Sequence, residues 1–173
     1  MSVDDANGEL VDEVDIDDRV LRVVPRSVMR RDRLRHRAVF VAVTDGEGRL
    51  LVHRRSDGKD VWPGWFDIAV GGVVASGESY ESAATREVAE EVGVTDAVCE
   101  ALDDGVVSPY DDEQVSLLGR CFRVCHPGPF HFSDGEVTEA WWSSMEDVEA
   151  MIRRENFLPD SLALLWPLLR PSD

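Results

Sequence analysis

Apolar positions along the chain recur at two spacings, one typical of strands and one typical of helices. Runs rich in β-branched and aromatic residues alternate with stretches containing glycine, proline or aspartate, which favours short strands joined by turns. The first two runs flank the turn-rich residues 45–48 and are predicted to form a hairpin. Strands are predicted over residues 37–44, 50–54, 66–74, 98–107 and 115–124.

A helical pattern covers residues 79–92. Ser79 is placed to cap its first turn, and Gly93 is placed to end it. Apolar residues at i, i+4 and i+8 predict the face that this helix buries. That face consists of Ala84, Val88 and Val92.

Two further helices are predicted towards the C-terminus, one within residues 138–154 and one over 160–169. Pro167 is expected to kink or end the last helix, because proline cannot continue the helical hydrogen-bond ladder. Neither an internal repeat nor a long linker divides the sequence. The pattern as a whole predicts one mixed α/β unit.

Length and charge narrow the class of protein. The 173 residues include 35 acidic and 18 basic side chains, and the net charge of −17 argues against a nucleic-acid polymer as partner. No apolar run approaches the roughly 20 residues of a membrane span, so no membrane partner is expected. Residues 1–18 carry no base and are expected to form an acidic, partly disordered segment before a single domain over 19–173.

Arginines are concentrated directly after this acidic run, with eight of them in residues 19–37. A solvated surface is the favoured interpretation; the alternatives are that the acidic run folds back on them or that they face an anion.

The three cysteines are an odd number, which favours a reduced, cytoplasmic setting. Cys121 and Cys125 are predicted to be small core residues on one face of a strand. Of the adjacent Trp141 and Trp142, one is expected to pack inward and the other to be partly exposed.

The helix over 79–92 also carries residues that predict chemistry. Glu87, Glu90 and Glu91 stand at i, i+3 and i+4, so their carboxylates emerge on one face. Like charges at this spacing cost about 0.2–0.5 kcal/mol per pair, and a hard divalent cation relieves that cost. On their own, three glutamates would also fit a solvated acidic helix.

The complete segment has a more specific pattern, G-x5-E-x7-R-E-U-x-E-E-x-G-U with U aliphatic. The matching residues are Gly72, Glu78, Arg86, Glu87, Val88, Glu90, Glu91, Gly93 and Val94. A chance match is on the order of one in 10⁹ per starting position. The pattern is the Nudix box, and the chain therefore resembles the Nudix hydrolases.

This resemblance implies an α/β/α sandwich with a mixed β-sheet and an enzyme that hydrolyses phosphoric anhydride bonds. The metal ligands that it implies for Mg²⁺, with Mn²⁺ as the alternative, are Glu87, Glu90, Glu91 and the Gly72 carbonyl. The catalytic residues that it implies are Glu87, Glu90 and Arg86, and Glu78 and Arg86 are the expected orienting residues. The expected reaction is cleavage of the diphosphate linkage in a nucleoside diphosphate-X or related small molecule by metal-activated water.

Residues outside the box are candidates for substrate binding and proton transfer. Arg54 and Arg55 end a strand and are candidates to hold the distal phosphate, with Glu136 as a further substrate-binding residue. Glu113, Asp134 and Glu136 are candidate bases, although each also fits an ordinary acid in a loop. The oligomeric state stays open between a monomer and a homodimer.

The flanks of the box are similar to isopentenyl-diphosphate isomerase and its hydrolase-like bacterial relatives. The similar segments are residues 34–38, 54–56, 62–64 and 134–137, together with Trp141. The isomerase needs a cysteine and, two positions later, a histidine, where this chain has Gly71 and Val73. Isomerase chemistry is therefore disfavoured as an alternative. A catalytically inactive ligand-binding module is the other alternative, disfavoured by the intact glutamates.

Overall fold

The structure is a computed structural model that describes residues 8–133 and 135–170. Its strands are β1 (Leu10–Val14), β2 (Val20–Pro25), β3 (His36–Thr44), β4 (Leu50–Arg55), β5 (Phe66–Asp67), β6 (Val70–Val73), β7 (Glu100–Ala101), β8 (Ser108–Asp111), β9 (Ser116–Cys125) and β10 (Val137–Ser143). Its helices are α1 (Arg26–Arg31), α2 (Tyr80–Val92), α3 (Met145–Ile152), α4 (Pro159–Leu164) and α5 (Trp166–Leu169).

One mixed sheet organises the molecule. Its main path runs β10-β4-β3-β9-β7, with β5 beside β4, β6 beside β3 and β8 beside β9. The long central strands β3 and β9 are parallel, whereas all other pairs in the sheet are antiparallel. Strand β3 is buried on both faces, which explains its continuous apolar sequence.

Helices cover both faces of this sheet and produce a three-layer sandwich. Alternate residues of β3 point to opposite faces, as the period of a strand requires. Ala38 and Phe40 join the core beneath α3, α4 and α5, whereas Val39 and Val41 join the core beneath α2. The predicted α/β/α sandwich is confirmed.

The boundaries of α2 follow from its local sequence. The Ser79 side chain accepts a hydrogen bond from the backbone N–H of Ser82, which caps the first turn. Gly93 adopts φ of 75° and ends the helix in the left-handed region that favours glycine. The expected stripe is buried, with Ala84 and Val88 at 0% exposure.

The sheet opens between β3 and β4. These two strands form the predicted hairpin but pair only at Thr44 and Leu50, beside their turn. Further along, β6 pairs with β3 and β5 pairs with β4, so each strand gains its own partner as the two diverge. A gap therefore forms at the end of the sheet where β6 leads into α2.

The N-terminal region folds against this open end. Strands β1 and β2 form a separate antiparallel pair, and Val11 and Met29 pack against Val73 of β6. The expected boundary at residues 18 and 19 falls in the loop between β1 and β2, whereas residues 1–7 lie outside the described residues. Several acids of this region do fold back on the arginines. The ion pairs are Arg22–Glu13, Arg26–Glu9, Arg37–Asp12 and Arg37–Asp18.

Two predicted strands differ from the structure. The strand expected over 98–107 is wrong for most of its length, because Asp104 and Gly105 adopt φ of 52° and 82° and turn the chain between β7 and β8. The strand expected over 66–74 is divided into β5 and β6. The Asp67 carboxylate accepts a hydrogen bond from the Ala69 backbone N–H, a local turn that interrupts the ladder.

The C-terminal half contains two further corrections. Trp141 and Trp142 lie in β10 and pack on opposite faces of the sheet, each half-buried in one of the two cores. Cys121 is a buried core residue as predicted, but Cys125 is exposed at the end of β9. All three cysteines are free thiols.

In the described part of the chain, no helix combines the length and apolarity needed to cross a bilayer.

A buried ion pair provides a test of this packing. Arg120 in β9 donates to Asp103 at 2.9 Å, and both side chains are less than a tenth exposed. Asp103→Asn should lower the free energy of unfolding by about 3 kcal/mol, because it leaves a buried guanidinium with only the longer contact to the exposed Glu81, at 3.4 Å. Chemical denaturation measures this change. Asp104→Asn is the matched control, since Asp104 is exposed and asparagine tolerates its positive φ; equal stability of the two variants would contradict the prediction.

Candidate active site

Arg86 is the centre of a hydrogen-bond network on α2. Its Nε and Nη2 donate to the two carboxylate oxygens of Glu78 at 2.8 and 2.9 Å. Its Nη1 donates to Glu87 at 2.8 Å and to Glu90 at 3.3 Å, and Nη2 also reaches the carbonyl of Val73. One guanidinium thus links three acids of the box to the strand β6. The hydrogen bonds to Glu78 contribute most to raising the pKa of Arg86.

Glu87 and Glu91 are buried side by side, whereas Glu90 is exposed. Burial raises the pKa of Glu87 to about 7 despite the neighbouring Arg86. Burial and the nearby charge of Glu87 also raise the pKa of Glu91 well above its ordinary value. By contrast, although burial opposes its ionisation, hydrogen bonds from Arg86 and the Ala75 backbone N–H hold the pKa of Glu78 below its ordinary value.

Two glycines let β6 approach its neighbours closely. A Cβ on Gly72 would lie 2.7 Å from Oε1 of Glu87, so the backbone at this position lies directly against the carboxylate. A Cβ on Gly71 would lie 1.9 Å from the carbonyl oxygen of Val39. Gly71 is the position where the isomerase would need its cysteine, and the backbone here leaves no space for any side chain.

A cleft of about 430 Å³ brings the three glutamates together with basic groups. Lys59 and Arg26 line this cleft, and each already contacts an acid: Lys59 lies 2.6 Å from Glu136 and Arg26 lies 2.9 Å from Glu9. The complete lining consists of Arg26, Lys59, Gly71, Gly72, Glu87, Glu90, Glu91, Ser133 and Glu136. The cleft therefore combines an acidic wall with two cations.

Lys59 and Arg26 are the cleft residues that the sequence did not single out. Lys59 is the only lysine in the chain, and Arg26 is one of the eight arginines that were considered as an anion-facing group. The single lysine pointed to one residue, but a general bias in amino-acid composition explains it equally well. The cluster of eight arginines did not distinguish Arg26 from the other seven.

The predicted residues outside the box are dispersed. Arg54 lies in a separate groove, where its Nε donates to the carbonyl of Gly64. Arg55 lines a different cavity that borders the cleft at Gly71 and Gly72. Of the three candidate bases, Glu136 lines the cleft, Glu113 lies in the turn before β9, and Asp134 lies outside the described residues.

The residues of the cleft fit a hard divalent cation. Among the side chains that the structure describes, no three acidic, imidazole or thiol groups already surround a common point, and Arg86 engages both Glu87 and Glu90. The donors available are nonetheless carboxylate oxygens and a backbone carbonyl, which Mg²⁺ and Mn²⁺ prefer. The two buried glutamates also need a positive charge to be ionised together.

Comparisons with known proteins agree with this arrangement. The family model of the NUDIX domain matches residues 34–163. The Nudix hydrolase YfcD of Salmonella typhi is 38% identical over 160 residues, which cover 92% of this chain and 84% of the relative. The crystal structure of DR0079 from Deinococcus radiodurans has a TM-score of 0.77 and 27% identity, covering 94% of this chain and 100% of that one. The NUDIX domain of Shewanella oneidensis NrtR complexed with ADP ribose has a TM-score of 0.60 at 18% identity, covering 76% of this chain and 84% of that one. At this identity the two chains are similar in fold.

The chain therefore belongs to the Nudix family. Within that family it is a hydrolase that acts on pyrophosphate bonds.

Asp160 allows a test of the electrostatics beside the cleft. It lines the same cavity as Arg55, and burial together with the charge of Asp67 raises its pKa to about 7. The folded protein should therefore hold a proton that the unfolded chain releases, so this group lowers stability as the pH rises from about 4 to 7. Asp160→Asn should stabilise the fold by about 3 kcal/mol at pH 8 and have little effect near pH 4.

Urea denaturation of the wild type and the variant across this pH range measures the difference. Asn keeps the oxygen that accepts the Ser161 backbone N–H. Asp57→Asn is the control, because its side chain is 87% exposed. A difference between wild type and Asp160→Asn that does not change with pH would contradict the prediction.

Proposed function

We propose that this enzyme is a Mg²⁺-dependent hydrolase of nucleoside diphosphate-X compounds or related small-molecule diphosphates. The observation that carries the proposal is the cleft itself, which is lined by Glu87, Glu90 and Glu91 together with Lys59 and Arg26. An acidic wall suits a divalent cation, and the two basic side chains suit the phosphate oxygens that accompany it. Binding of ADP ribose by the NrtR NUDIX domain supports a nucleotide-linked substrate.

The residues that would hold the cation are Glu87, Glu90, Glu91 and the Gly72 carbonyl. When bound, the cation supplies Lewis-acid stabilisation of the charge on the diphosphate oxygens. Mn²⁺ has the same preference for oxygen ligands and is the alternative ion.

Arg86 positions two of these metal-binding carboxylates, Glu87 and Glu90. Its hydrogen bonds fix Glu87 relative to Glu78 and to the carbonyl of Val73, and the same Nη1 that donates to Glu87 also reaches Glu90. The carboxylates are thereby oriented before the substrate arrives, which lowers the reorganisation that the reaction requires.

Lys59 and Arg26 are suited to bind the phosphates. The chain carries a net charge of −17, so a diphosphate meets long-range repulsion that local cations must offset. Lys59 would exchange its contact with Glu136 for a phosphate oxygen.

In the reaction, water attacks one phosphorus of the diphosphate. The new P–O bond forms as the bridging P–O bond breaks, and the bridging oxygen departs with the second phosphate. A carboxylate that lines the cleft accepts the proton of the water. Glu90 and Glu136 are the two lining acids that are not fully buried.

Glu91→Gln tests the assignment of the acidic wall. The substitution keeps the shape of the side chain but removes a buried anionic ligand, so Mg²⁺-dependent turnover of a diphosphate panel should fall at least 100-fold. Mg²⁺ should raise the melting temperature of the wild type, and Glu91→Gln should lose this effect.

Glu149→Gln is the control for this experiment, because Glu149 lies on the surface of α3 and pairs with Arg153 and Arg170. It should leave both turnover and the Mg²⁺ effect unchanged. Unchanged Mg²⁺-dependent turnover in Glu91→Gln would refute the metal assignment.

Lys59→Met tests the phosphate contact. Loss of the ammonium group should reduce kcat/KM about tenfold, mainly through KM, whereas Lys59→Arg should recover most of the activity because it retains the charge. Steady-state kinetics with the best substrate of the panel gives these values. Arg123→Met removes an exposed arginine of β9 and should change nothing; an equal effect of both methionine variants would show that only the net charge matters.

A further inference from the structure

Strand β2 forms a free edge of the N-terminal strand pair. Its neighbour β1 pairs with β2 on one side and approaches Ala75 on the other, through a bridge between Val11 and Ala75. Among the strands that the structure describes, β2 therefore pairs with β1 and with no other. An edge strand presents a row of backbone N–H and C=O groups that can pair with another chain.

Exposed apolar side chains are concentrated at the same edge. Of the eight large apolar side chains that are exposed among the described residues, five lie in β1, in β2 or in the turn between them. These five, each at least half exposed, are Leu10, Ile16, Val20, Leu21 and Val23. A contiguous apolar surface on a strongly charged protein indicates a site of association.

The hydrogen-bond ladder shows which backbone groups of β2 are directed outward. The Arg26 N–H donates to the Glu9 carbonyl at 2.8 Å, and the same register continues along β2 to Arg22. In an antiparallel pair, every second residue directs its N–H and C=O towards the partner strand. Arg22 therefore bonds towards β1, whereas the backbone groups of Leu21 and Val23 point away from it.

We infer that β2 pairs with β2 of a second copy of this chain, antiparallel about a twofold axis at Arg22. Leu21 of each copy then lies opposite Val23 of the other, so that the outward N–H and C=O groups of both residues are paired. The exposed apolar side chains of the two strands form one continuous row. Arg22 lies opposite its counterpart, but the ion pair with Glu13 offsets the charge of each.

The charges at the two ends of β2 favour this antiparallel arrangement. The strand follows the acidic turn 15–18 and leads directly into α1, which begins at Arg26. Antiparallel pairing places the acidic turn of one copy beside the basic helix of the other. Asp17 and Arg31 are each about two-thirds exposed and available for this contact. Such local complementarity offsets the repulsion between two chains that each carry a net charge of −17.

Sedimentation velocity over a range of about 1 to 100 μM tests the pairing, because the population of a dimer depends on protomer concentration. The wild type should be a dimer at the upper end of this range. Val23→Lys should raise the Kd of the dimer at least 100-fold, because it places a cation in the apolar row. Val23→Pro should have the same effect, because proline removes the outward N–H and leaves the bonds to β1 in place.

Val98→Lys is the matched control for these variants. Val98 is 83% exposed but lies away from the β1–β2 pair, so its substitution by lysine should leave the dimer intact. Circular dichroism should show that all three variants keep the fold of the wild type, since Val23 is itself half exposed.

A disulfide cross-link distinguishes edge pairing from stacking of the two apolar faces. Opposite residues in a non-hydrogen-bonded pair have Cα atoms about 4.5 Å apart, which is within the range of a disulfide. Arg22→Cys should therefore form a linked dimer on oxidation with diamide, in a Cys125→Ser background that removes the exposed native thiol. Arg19→Cys is the control, because the inferred register places Arg19 opposite Pro25 and far from its counterpart.

Three results would overturn the inference. The wild type could be monomeric at about 100 μM, which would leave the edge to a partner other than this chain. The dimer could survive either substitution of Val23, or Arg22→Cys could form no more linked dimer than Arg19→Cys. If a Val23 variant fails to fold, the cross-link alone decides. None of these measurements depends on the proposed function, since no substrate or metal is added.

Discussion

Two buried carboxylates side by side impose the main constraint on this molecule. Glu87 and Glu91 each lie 8% exposed on one face of α2, where their mutual repulsion and loss of hydration oppose ionisation. The neighbouring groups are arranged to balance that charge: Arg86 donates to Glu87, and Lys59 and Arg26 line the same cleft. Two carboxylates buried together are difficult to ionise at the same time, so this site is suited to an additional cation.

The divergence of β3 and β4 places this charged wall next to a second cavity. If the strands remained paired beyond Thr44 and Leu50, neither the gap nor the cavity beside Arg55 would exist. The divergence is made possible by the turn at Asp67, which separates β5 from β6 and gives each strand a partner. The acidic cleft and this second cavity therefore lie on two sides of a single short strand.

Features encoded within a few residues were predictable from the sequence. Helix α2 was predicted between Ser79 and Gly93, because its N-terminal cap, its C-terminal glycine and its apolar stripe are all encoded by nearby residues. Strand β3 was predicted in the same way from its continuous apolar run. Lys59 and Arg26 were not singled out, because they reach the cleft only through the loop after β4 and the packing of the N-terminal strands. Arg54 and Arg55 are neighbours in sequence, but successive strand residues point to opposite faces, so the structure separates them.

The parallel pairing of β3 with β9 also has a consequence for how the protein is made. His36 pairs with Leu117, so this ladder joins two strands that are separated in sequence by α2 and five short strands. Non-local pairings of this kind form slowly, because the entropy of loop closure is lost before the contacts compensate for it. During synthesis β3 must wait for β9 to emerge from the ribosome, and Ser133 and Glu136, which complete the lining of the cleft, emerge later still. Completion of the cleft is consequently a late event, so a completed cleft marks a chain that has already reached its native topology.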